Sequence, residues 1–475
     1  MHSEVVVLGG GPGGYAAAFL AADLGMQVTL VEREPRLGGV CLLCGCIPSK
    51  ALLHVSKVIN EAQEMAEWGV EFARPKIKID ALRARKEKVI ATLTGGLAQL
   101  AKRRKVNVVQ ARGWFENSTT LRLERTDQPG HTEELTYDHC ILATGSRPVK
   151  IPIFDLPTPR VMDSTSALEL PDVPESLLIV GGGYIGLEMG TVYAELGSKV
   201  TVVELTEGLL PGADRDLVRP LHSRLEKLFA AILLSTKVVA LVDKKDYIEV
   251  KLQNADGSNE RTEKFSRVLV SVGRRPNSDG IGLENTKVKF DKRGFVQTDS
   301  SQRTDDPHIL AIGDIAGEPM LAHKASHQGK AAVEVLHGEP TVFEPRAIPA
   351  VVFTDPEIAW AGLTEEQAKR DGRQVEVIRY PWAASGRAVS LGRTEGLTKF
   401  LIDPESERLL GVGIVGAGAG ELIAEGVLAI EMGCSARDVA ESIHPHPTLS
   451  ETVAFANEAF LGIATEIYRP RAVEK

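Results

Sequence analysis

The sequence predicts an α/β protein with two Rossmann-like dinucleotide-binding domains and a C-terminal α+β domain. The first observation is a glycine-rich fingerprint that occurs twice, at Gly9–Gly14 and Gly181–Gly186, each time between two short apolar strands. The second is the length of 475 residues, which corresponds to roughly three domains. The third is that no such fingerprint follows Pro345, so the last part of the chain must be organised differently.

The first fingerprint has the layout of a dinucleotide-binding βαβ unit. The strand Glu4–Leu8 leads into Gly9, Gly11 and Gly14, an alanine-rich helix follows, and the next strand ends at Glu32. Such glycines let a pyrophosphate approach the helix N-terminus, and a carboxylate at this distance accepts hydrogen bonds from a ribose. We therefore expect these residues to bind the nucleotide half of a cofactor.

The same order of elements returns in the second fingerprint. The strand Leu177–Val180 precedes Gly181, Gly183 and Gly186, an apolar helix follows, and the next strand ends at Glu204. One match alone is weak, but two in the same strand–helix–strand context make glycine turns without a ligand the poorer explanation. A carboxylate at the position of Glu204 binds a ribose diol and repels a 2′-phosphate, which favours NAD over NADP.

Three further apolar strands, at 140–148, 268–276 and 308–312, set the domain boundaries. The first two end in similar turns and precede expected crossings between domains, and the third runs into Gly313 and Asp314. They predict a first dinucleotide-binding segment at 1–148, a second dinucleotide-binding domain at 149–272, a return to the first domain at 273–344, and an α+β dimerisation domain at 345–475.

Composition narrows the class of protein. The formal charge of −9 argues against a general nucleic-acid binder, because such proteins usually have a basic face. No charged and apolar leader precedes the first strand, and charged residues interrupt each apolar run of membrane-spanning length. We therefore expect a cytoplasmic protein that binds neither nucleic acid nor membrane.

Three of the five cysteines lie close together, at Cys41, Cys44 and Cys46. Structural zinc needs about four ligands, and no second Cys or His cluster has matching spacing, so we expect no metal site. Two nearby thiols can instead exchange between dithiol and disulfide, which is two-electron chemistry. On an ideal helix Cys41 and Cys44 are neighbours, whereas Cys41 and Cys46 point apart unless the helix is distorted near Gly45. The residues alone leave the pairing open.

A histidine motif near the C-terminus supplies acid–base chemistry. Thiolate rather than thiol attacks a disulfide, so a base that titrates near neutral pH is useful. The segment His444–Glu451 contains a second histidine, His446, and Glu451 can hold one nitrogen of such a ring while the other faces a substrate. The alternative is an ordinary surface histidine.

In order and spacing these motifs resemble those of the flavoprotein disulfide reductases, and among them of the dihydrolipoamide dehydrogenases, the flavoprotein components of 2-oxo acid dehydrogenase complexes. The resemblance covers essentially the whole chain and rests on Gly9–Gly14, Gly39–Lys50, Ala143–Pro148, Gly181–Glu188, Gly273–Pro276, Ala311–Asp314, Pro319–Ala325 and His444–Glu451. Three positions depart from the usual pattern. Leu43 replaces an asparagine, Cys44 an aliphatic residue and Pro445 an alanine.

The resemblance implies that the first domain binds FAD. Besides the residues of the first fingerprint, it assigns to this cofactor Gly113, Ala143, Thr144, Gly145, Asp314 and Ala322. It also pairs Lys50 with Glu188 beside the flavin, where a cation stabilises negative charge on the reduced ring. The alternatives are a buried structural role for Asp314 and an ordinary surface salt bridge for Lys50, which would contribute little.

The resemblance implies that the second domain binds NAD. It adds Tyr184, which covers the nicotinamide pocket in some relatives, and Val238 and Gly273 as weaker contacts.

The resemblance also implies the reaction. Protein-bound dihydrolipoamide is oxidised by NAD through a Cys41–Cys46 disulfide, and His446, oriented by Glu451, acts as the base on the partner subunit's cysteines. It implies a homodimer and a lipoyl-bearing partner protein, such as an acyltransferase.

Three alternative functions compete with this interpretation. An NADPH-dependent reductase of another disulfide, such as glutathione, is disfavoured by Glu204. Mercuric reductase needs a second thiol pair near the C-terminus, where Cys434 stands alone. A non-catalytic scaffold or NAD sensor would not need the set of Cys41, Cys46, His446 and Glu451.

Overall fold

The computed structural model describes residues 1–468 of the chain. The first segment contains β1 (His2–Leu8), α1 (Pro12–Asp23), β2 (Val28–Glu32), α2 (Gly39–Cys44), α3 (Cys46–Glu64), a 3₁₀ helix (Met65–Trp68), α4 (Ile79–Arg103), β3 (Asn107–Asn117), β4 (Thr120–Arg125), β5 (Thr132–Leu142) and β6 (Ser146–Pro148).

The second segment contains a 3₁₀ helix (Pro152–Phe154), β7 (Val161–Met162), α5 (Ser164–Leu168), β8 (Ser176–Val180), α6 (Tyr184–Leu196), β9 (Lys199–Val203), α7 (Arg215–Leu228), β10 (Ala231–Leu233), β11 (Thr236–Lys244), β12 (Tyr247–Asn254), β13 (Arg261–Phe265) and β14 (Arg267–Val270). The third contains β15 (Arg274–Pro276), a 3₁₀ helix (Leu283–Asn285), β16 (Ile309–Ala311), a 3₁₀ helix (Gly313–Ala316) and α8 (Ala322–Leu336).

The last segment contains β17 (Ala350–Val352), β18 (Glu357–Gly362), α9 (Glu365–Arg370), β19 (Glu376–Pro381), a 3₁₀ helix (Trp382–Ala384), α10 (Gly386–Ser390), β20 (Leu397–Ile402), β21 (Leu409–Gly416), α11 (Ala419–Met432), α12 (Ala436–Ala440) and α13 (Glu451–Leu461). The final seven positions of the C-terminal domain predicted at 345–475 lie outside the described residues.

Two parallel sheets with the same internal order form the dinucleotide-binding halves. In the first, β1 pairs with β2 and β5, β2 with β3, and β5 with β16, all in parallel. In the second, the parallel order is β10-β9-β8-β14-β7. Strands β1 and β8 are apolar runs because helices or further strands cover both of their faces. The predicted fold class, two Rossmann-like domains and an α+β domain, is confirmed.

Each parallel sheet is accompanied by a three-stranded antiparallel unit. The far ends of β3 and β5 pair with β4, and β11, β12 and β13 form a sheet beside the second domain. The chain crosses between the halves on β6 and returns on β15, and these two strands pair antiparallel. The strand β16 then rejoins the first sheet, and α8 packs on α1. A side chain at Gly329 would lie 2.6 Å from the carbonyl oxygen of Gly13, so the two helices cross at closest backbone approach.

The C-terminal part is a five-stranded antiparallel sheet in the order β17-β18-β21-β20-β19. Helices α11 and α13 pack on this sheet around an apolar core that includes Trp382, Phe400 and Ile414. Its surface carries two exposed large apolar side chains of α11, Leu428 and Met432.

One helical stretch, Gly39–Trp68, is long and apolar enough to cross a membrane by length and composition. From the sequence no such run is expected, because charged residues interrupt every candidate. The stretch is interrupted between α2 and α3, and Leu52, Leu53 and Ile59 belong to the core that α6 completes. Packing inside the protein therefore covers part of this stretch, and 33% of its most apolar 18-residue window is buried.

Candidate active site

A long cavity of about 970 Å³ opens at the carboxyl ends of the strands of the first sheet. Glu32 and Gly113 line one part of it, and Cys41, Cys46 and Lys50 line another. The other predicted flavin residues in its wall are Gly9, Gly11, Ala143, Thr144, Gly145, Asp314 and Ala322, and Tyr184 and Glu188 enter from the second domain. Its length and its glycine-lined wall fit a dinucleotide such as FAD.

The first glycine loop is shaped by close backbone contacts. Gly9 has φ +112°, and a Cβ there would lie 2.3 Å from the carbonyl oxygen of Ala143. A Cβ on Gly14 would lie 1.8 Å from the oxygen of Gly9, so only glycine lets α1 begin so close to the loop. The buried carboxylate of Glu32 accepts a hydrogen bond of 2.7 Å from the Gly10 N–H and thereby fixes the loop to the end of β2.

The second loop repeats these contacts. Gly181 has φ +108°, and a Cβ on Gly186 would lie 2.2 Å from the oxygen of Gly181. Glu204 accepts a hydrogen bond of 2.7 Å from the Gly182 N–H, and its other oxygen accepts two from Thr206. The two fingerprints are therefore structural equivalents, each ending in a buried glutamate that holds its own loop.

The other NAD candidates lie apart from this cavity. Gly181, Gly183, Gly186 and Glu204 surround the N-terminus of α6, from which only Tyr184 and its successors reach the cavity wall. Val238 lies on β11, and its side chain is buried in the apolar core. At this position only the backbone is available to a ligand. Gly273, with φ +128°, turns the chain into β15.

A break at Gly45 brings two of the three thiols together. Gly45 has φ −145° and ψ −113°, so α2 ends at Cys44 and α3 starts afresh at Cys46. A Cβ on Gly45 would lie 2.7 Å from the Val40 oxygen, which favours glycine at the break. As a result Cys41 and Cys46 are hydrogen-bonded to each other, although they would point apart on one continuous helix.

The two thiols are electrostatically unequal. The hydrogen bond from Cys41 lowers the pKa of Cys46 to about 7, and the charge of Lys50 acts in the same direction against desolvation. The same hydrogen bond, together with burial, raises the pKa of Cys41. The negative charge of the pair is therefore favoured on Cys46 and the proton on Cys41. All five cysteines are free in this structure.

Cys44 lies outside this pair. Burial raises its pKa, and the hydroxyl of Thr165, on α5, is its hydrogen-bond partner. It lines the same cavity, one helical turn after Cys41. A protonated thiol of this kind is a poor nucleophile at neutral pH.

Lys50 is held beside the thiols by two contacts. Its Nζ lies 2.8 and 3.0 Å from the two carboxylate oxygens of Glu188, on α6, and 4.4 Å from the ring centre of Phe353. Glu188 also accepts a hydrogen bond of 3.0 Å from the Phe353 N–H. Because Glu188 is only 3% exposed, this ion pair differs from the surface salt bridge considered as its alternative.

Asp314 sits at the turn after β16, where its carboxylate lines the cavity. The Ser146 hydroxyl donates to its Oδ2 at 2.5 Å, while within the described residues no protein group donates to Oδ1. Lys324 holds the next turn by donating to the Gly317 carbonyl at 2.7 Å.

The C-terminal histidines have different environments. His444 is half-buried, and its Nε2 lies 2.6 Å from Oε1 of Glu425, a residue that no sequence motif indicated. The side chain of His446 is 78% exposed, and its Nδ1 lies 2.8 Å from Oε1 of the buried Glu451. The Thr448 N–H donates to the other oxygen of Glu451 at 2.8 Å. This fixes the ring of His446 and points Nε2 outward. Neither His446 nor Glu451 lines the cavity of its own chain.

Several site residues carried no signal in the sequence. Ser146 and Arg274 lie in motifs that point to neighbouring residues, whereas Phe353 and Thr165 lie in no motif at all. Only the repeated Arg-Pro turn at the end of 268–276 could have drawn attention to Arg274.

Among the described residues, one group of carboxylates has the spacing of a metal site, namely Asp214, Asp216 and Glu365. The ammonium of buried Lys399 lies within 2.7 Å of all three. This network connects the start of α7 to the C-terminal sheet, and the ammonium of Lys399 balances the carboxylates where a metal cation would otherwise do so.

Comparison with known proteins agrees with this geometry. A profile of the family described as pyridine nucleotide-disulphide oxidoreductase matches residues 3–329, and one of its dimerisation domain matches residues 348–456.

The chain belongs to the pyridine nucleotide-disulphide oxidoreductases. Full-length relatives named dihydrolipoyl dehydrogenase include one from Vibrio parahaemolyticus, 50% identical over 100% of this chain and 99% of that protein. Another is from Haemophilus influenzae, 49% identical over 100% of this chain and 98% of the relative. A third, from Halobacterium salinarum, is 44% identical over 97% of both chains.

Two solved structures have the same fold. LpdA from Mycobacterium tuberculosis superimposes with a TM-score of 0.89 at 27% identity, over 96% of this chain and 99% of that one. The HOCl-induced flavoprotein disulfide reductase RclA from Escherichia coli gives 0.84 at 26% identity, over 96% of this chain and 99% of that one.

These comparisons confirm the resemblance found in the motifs. The protein is a flavoprotein oxidoreductase that uses FAD and NAD, and its C-terminal domain forms a homodimer.

Proposed function

We propose that the protein oxidises dihydrolipoyl groups with NAD, the activity named for its relatives. The observation that carries the proposal is that Cys41 and Cys46 lie together in the wall of a dinucleotide-sized cavity, with Lys50 in the same wall. The identity of 50% over the full length with a dihydrolipoyl dehydrogenase supports the same substrate class.

The first step of the proposed reaction is proton removal by an imidazole. Nε2 of His446 is free to accept a proton because Glu451 holds Nδ1. The cavity and this histidine are separated within one chain, so the base at each cysteine pair is His446 of the partner subunit. It takes the proton of one dihydrolipoyl thiol, and the charge that forms on the ring is balanced by Glu451.

The next steps are thiol–disulfide exchange. In the oxidised enzyme the substrate thiolate attacks Cys41, a bond forms between these sulfurs, and the Cys41–Cys46 bond breaks. Cys46 leaves as a thiolate, which Lys50 stabilises. The second substrate thiol then loses its proton and attacks the substrate sulfur of the mixed disulfide. The bond between this sulfur and Cys41 breaks, and Cys41 leaves as a thiolate and takes up that proton, as its raised pKa favours. The products are a lipoyl disulfide and the reduced cysteine pair.

Bound FAD would accept the two electrons of the cysteine pair and pass them to NAD as hydride. The residues proposed to hold it are those of the cavity wall, with Glu32 toward the adenosine ribose, Asp314 toward the ribityl chain, and Lys50 with Glu188 beside the reactive end. Tyr184 stands between this end and the second glycine loop, and burial raises its pKa to about 12, so it stays protonated.

The second loop is the proposed NAD site. Gly181, Gly183 and Gly186 would receive the pyrophosphate at the N-terminus of α6, and Glu204 the ribose. Because the carboxylate of Glu204 is buried against the Gly182 N–H, a 2′-phosphate beside it would meet an uncompensated negative charge. We further propose that the substrate group is carried by a lipoyl-bearing protein and that the enzyme works in the cytoplasm.

The proposal is tested by steady-state turnover of the purified holoenzyme with free dihydrolipoamide or reduced glutathione, each with NAD or NADP. We expect turnover with dihydrolipoamide and NAD. Activity confined to glutathione and NADP would overturn the proposal.

A further inference from the structure

Arg274 is the cationic end of a hydrogen-bond chain that reaches the cavity. Its Nε donates to the Ser146 hydroxyl oxygen at 2.8 Å, and that hydroxyl donates to Oδ2 of Asp314 at 2.5 Å. The direction is fixed, because a guanidinium can only donate and a serine hydroxyl has one proton. The order of the chain is therefore guanidinium, hydroxyl, carboxylate.

The guanidinium holds Ser146 at two points. Besides the contact to the hydroxyl, Nη2 of Arg274 donates to the Ser146 carbonyl oxygen at 2.8 Å. This fork fixes both the backbone and the side chain of Ser146, which is 3% exposed. A buried hydroxyl held in this way has one orientation available to its proton, namely toward Asp314.

The hydrogen-bond chain from Arg274 controls which oxygen of Asp314 faces the cavity. Asp314 lines the cavity. Its Oδ2 accepts the hydrogen bond from Ser146, whereas no protein group among the described residues donates to Oδ1. A carboxylate whose one oxygen is fixed presents the other in a defined direction to a hydroxyl-bearing ligand.

Ser146 and Arg274 also lie on the two strands by which the polypeptide crosses between domains. Ser146 is on β6, which leaves the first domain, and Arg274 is on β15, which returns to it, and these strands pair with each other. Arg274 lines the cavity as well, close enough to Cys44 and Tyr184 for its charge to oppose the rise that burial causes in the pKa of both.

We propose that Arg274 is a positioning residue for FAD, which acts through Ser146 to hold the Asp314 carboxylate toward the ribityl chain. This rests on the proposed placement of Asp314 at the flavin. It deepens that assignment by naming the residues that orient it, neither of which is part of a fingerprint glycine loop.

The adjacent Arg275 provides a matched control. It lies on the same strand, but its side chain is 52% exposed and pairs with Asp279 at 3.1 Å. Alternation along the strand thus directs one arginine inward and the other outward.

The test measures release of FAD from the holoenzyme by the rise of free-flavin fluorescence after dilution. We expect Arg274→Met and Ser146→Ala each to speed release about tenfold, as for loss of one hydrogen bond to a charged group. The double variant should be no faster than the faster single variant, since both act on one chain. Arg274→Lys should restore part of the retention, and Arg275→Met should release FAD like the wild type.

A second readout distinguishes positioning of FAD by Arg274 and Ser146 from a purely structural contact between the domains. The visible circular dichroism of bound flavin should change in Ser146→Ala and Asp314→Asn, because both alter the contact to the ribityl chain. Wild-type release rates in Arg274→Met and Ser146→Ala, or additive effects of the two, would overturn the proposal. If Arg274→Met yields no holoenzyme, Ser146→Ala alone decides it. None of these readouts needs substrate, so the outcome is independent of turnover with dihydrolipoamide.

Discussion

At the scale of single residues, the two sulfur atoms differ in how the protein holds their protons. Cys46 accepts the Cys41 hydrogen bond and lies near the Lys50 ammonium, so its pKa falls to about 7 while that of Cys41 rises. This difference suits the proposed roles, because Cys41 takes up a proton after it has been expelled from the mixed disulfide, whereas Cys46 persists as a thiolate.

Replacing Lys50 by methionine should raise the pKa of Cys46. Loss of the nearby positive charge disfavours the thiolate, and a rise of about one pKa unit corresponds to ~1.4 kcal/mol. Cys46 of the reduced wild type should be alkylated with a midpoint near pH 7, and that of the variant only at higher pH, as followed by peptide mass spectrometry. Lys57→Met, on the same helix but 40% exposed, serves as the control. An unchanged midpoint in Lys50→Met would contradict this account.

Cys44→Ser should leave turnover within about twofold of the wild type, since a protonated thiol hydrogen-bonded to Thr165 takes no part in exchange. Peptide mapping of the oxidised wild type should give a Cys41–Cys46 bond. A dominant Cys41–Cys44 bond would show that the pairing proposed here is incorrect.

At the scale of elements, the nucleotide sites depend on how closely a helix approaches the loop before it. The third glycine of each fingerprint sits against the carbonyl oxygen of the first, at Gly14 and at Gly186. The helix N-terminus can face a pyrophosphate only if that contact is kept.

Alanine at these two positions should separate the two nucleotide sites. A Cβ at Gly14 would lie 1.8 Å from Gly9, so Gly14→Ala should yield protein largely free of flavin. Gly186→Ala, with 2.2 Å to Gly181, should retain FAD but raise KM for NAD. Flavin absorbance and steady-state kinetics measure the two effects. Gly95→Ala, where nothing lies within 4 Å, should match the wild type in both. Flavin loss in Gly186→Ala alone would reverse the assignment of the two loops.

At the scale of the whole molecule, the proposed site needs both subunits of the dimer. The cysteine pair lies in the cavity of the first domain, and the exposed His446 lies in the C-terminal domain that forms the dimer. Each proposed site therefore combines two subunits, as a two-fold axis requires of both sites at once.

Mixing two inactive variants should restore activity. Cys46→Ser and His446→Gln dimers should each turn over poorly, but a refolded one-to-one mixture contains heterodimers with one intact site. Since half of the dimers are mixed and half of their sites are intact, activity should reach roughly a quarter of the wild type. A mixture no more active than its components would show that histidine and cysteines act within one chain.

The sequence by itself determined the fold class, the family and the two nucleotide-binding loops. Those features depend on residues that are near in sequence and whose spacing is dictated by backbone geometry, such as the glycines before α1 and α6. It also identified Glu32 and Glu204 as strand-end acids, but not that each carboxylate is buried against its own loop.

Only the tertiary structure decided which groups meet across long distances in the chain. The break at Gly45 brought Cys41 next to Cys46, whereas an ideal helix would have placed Cys41 next to Cys44. The tertiary structure likewise placed Arg274 against Ser146, 128 residues earlier, because that contact exists only once β15 has paired with β6. Local spacing carries no information about such contacts, since they are set by which strands lie side by side.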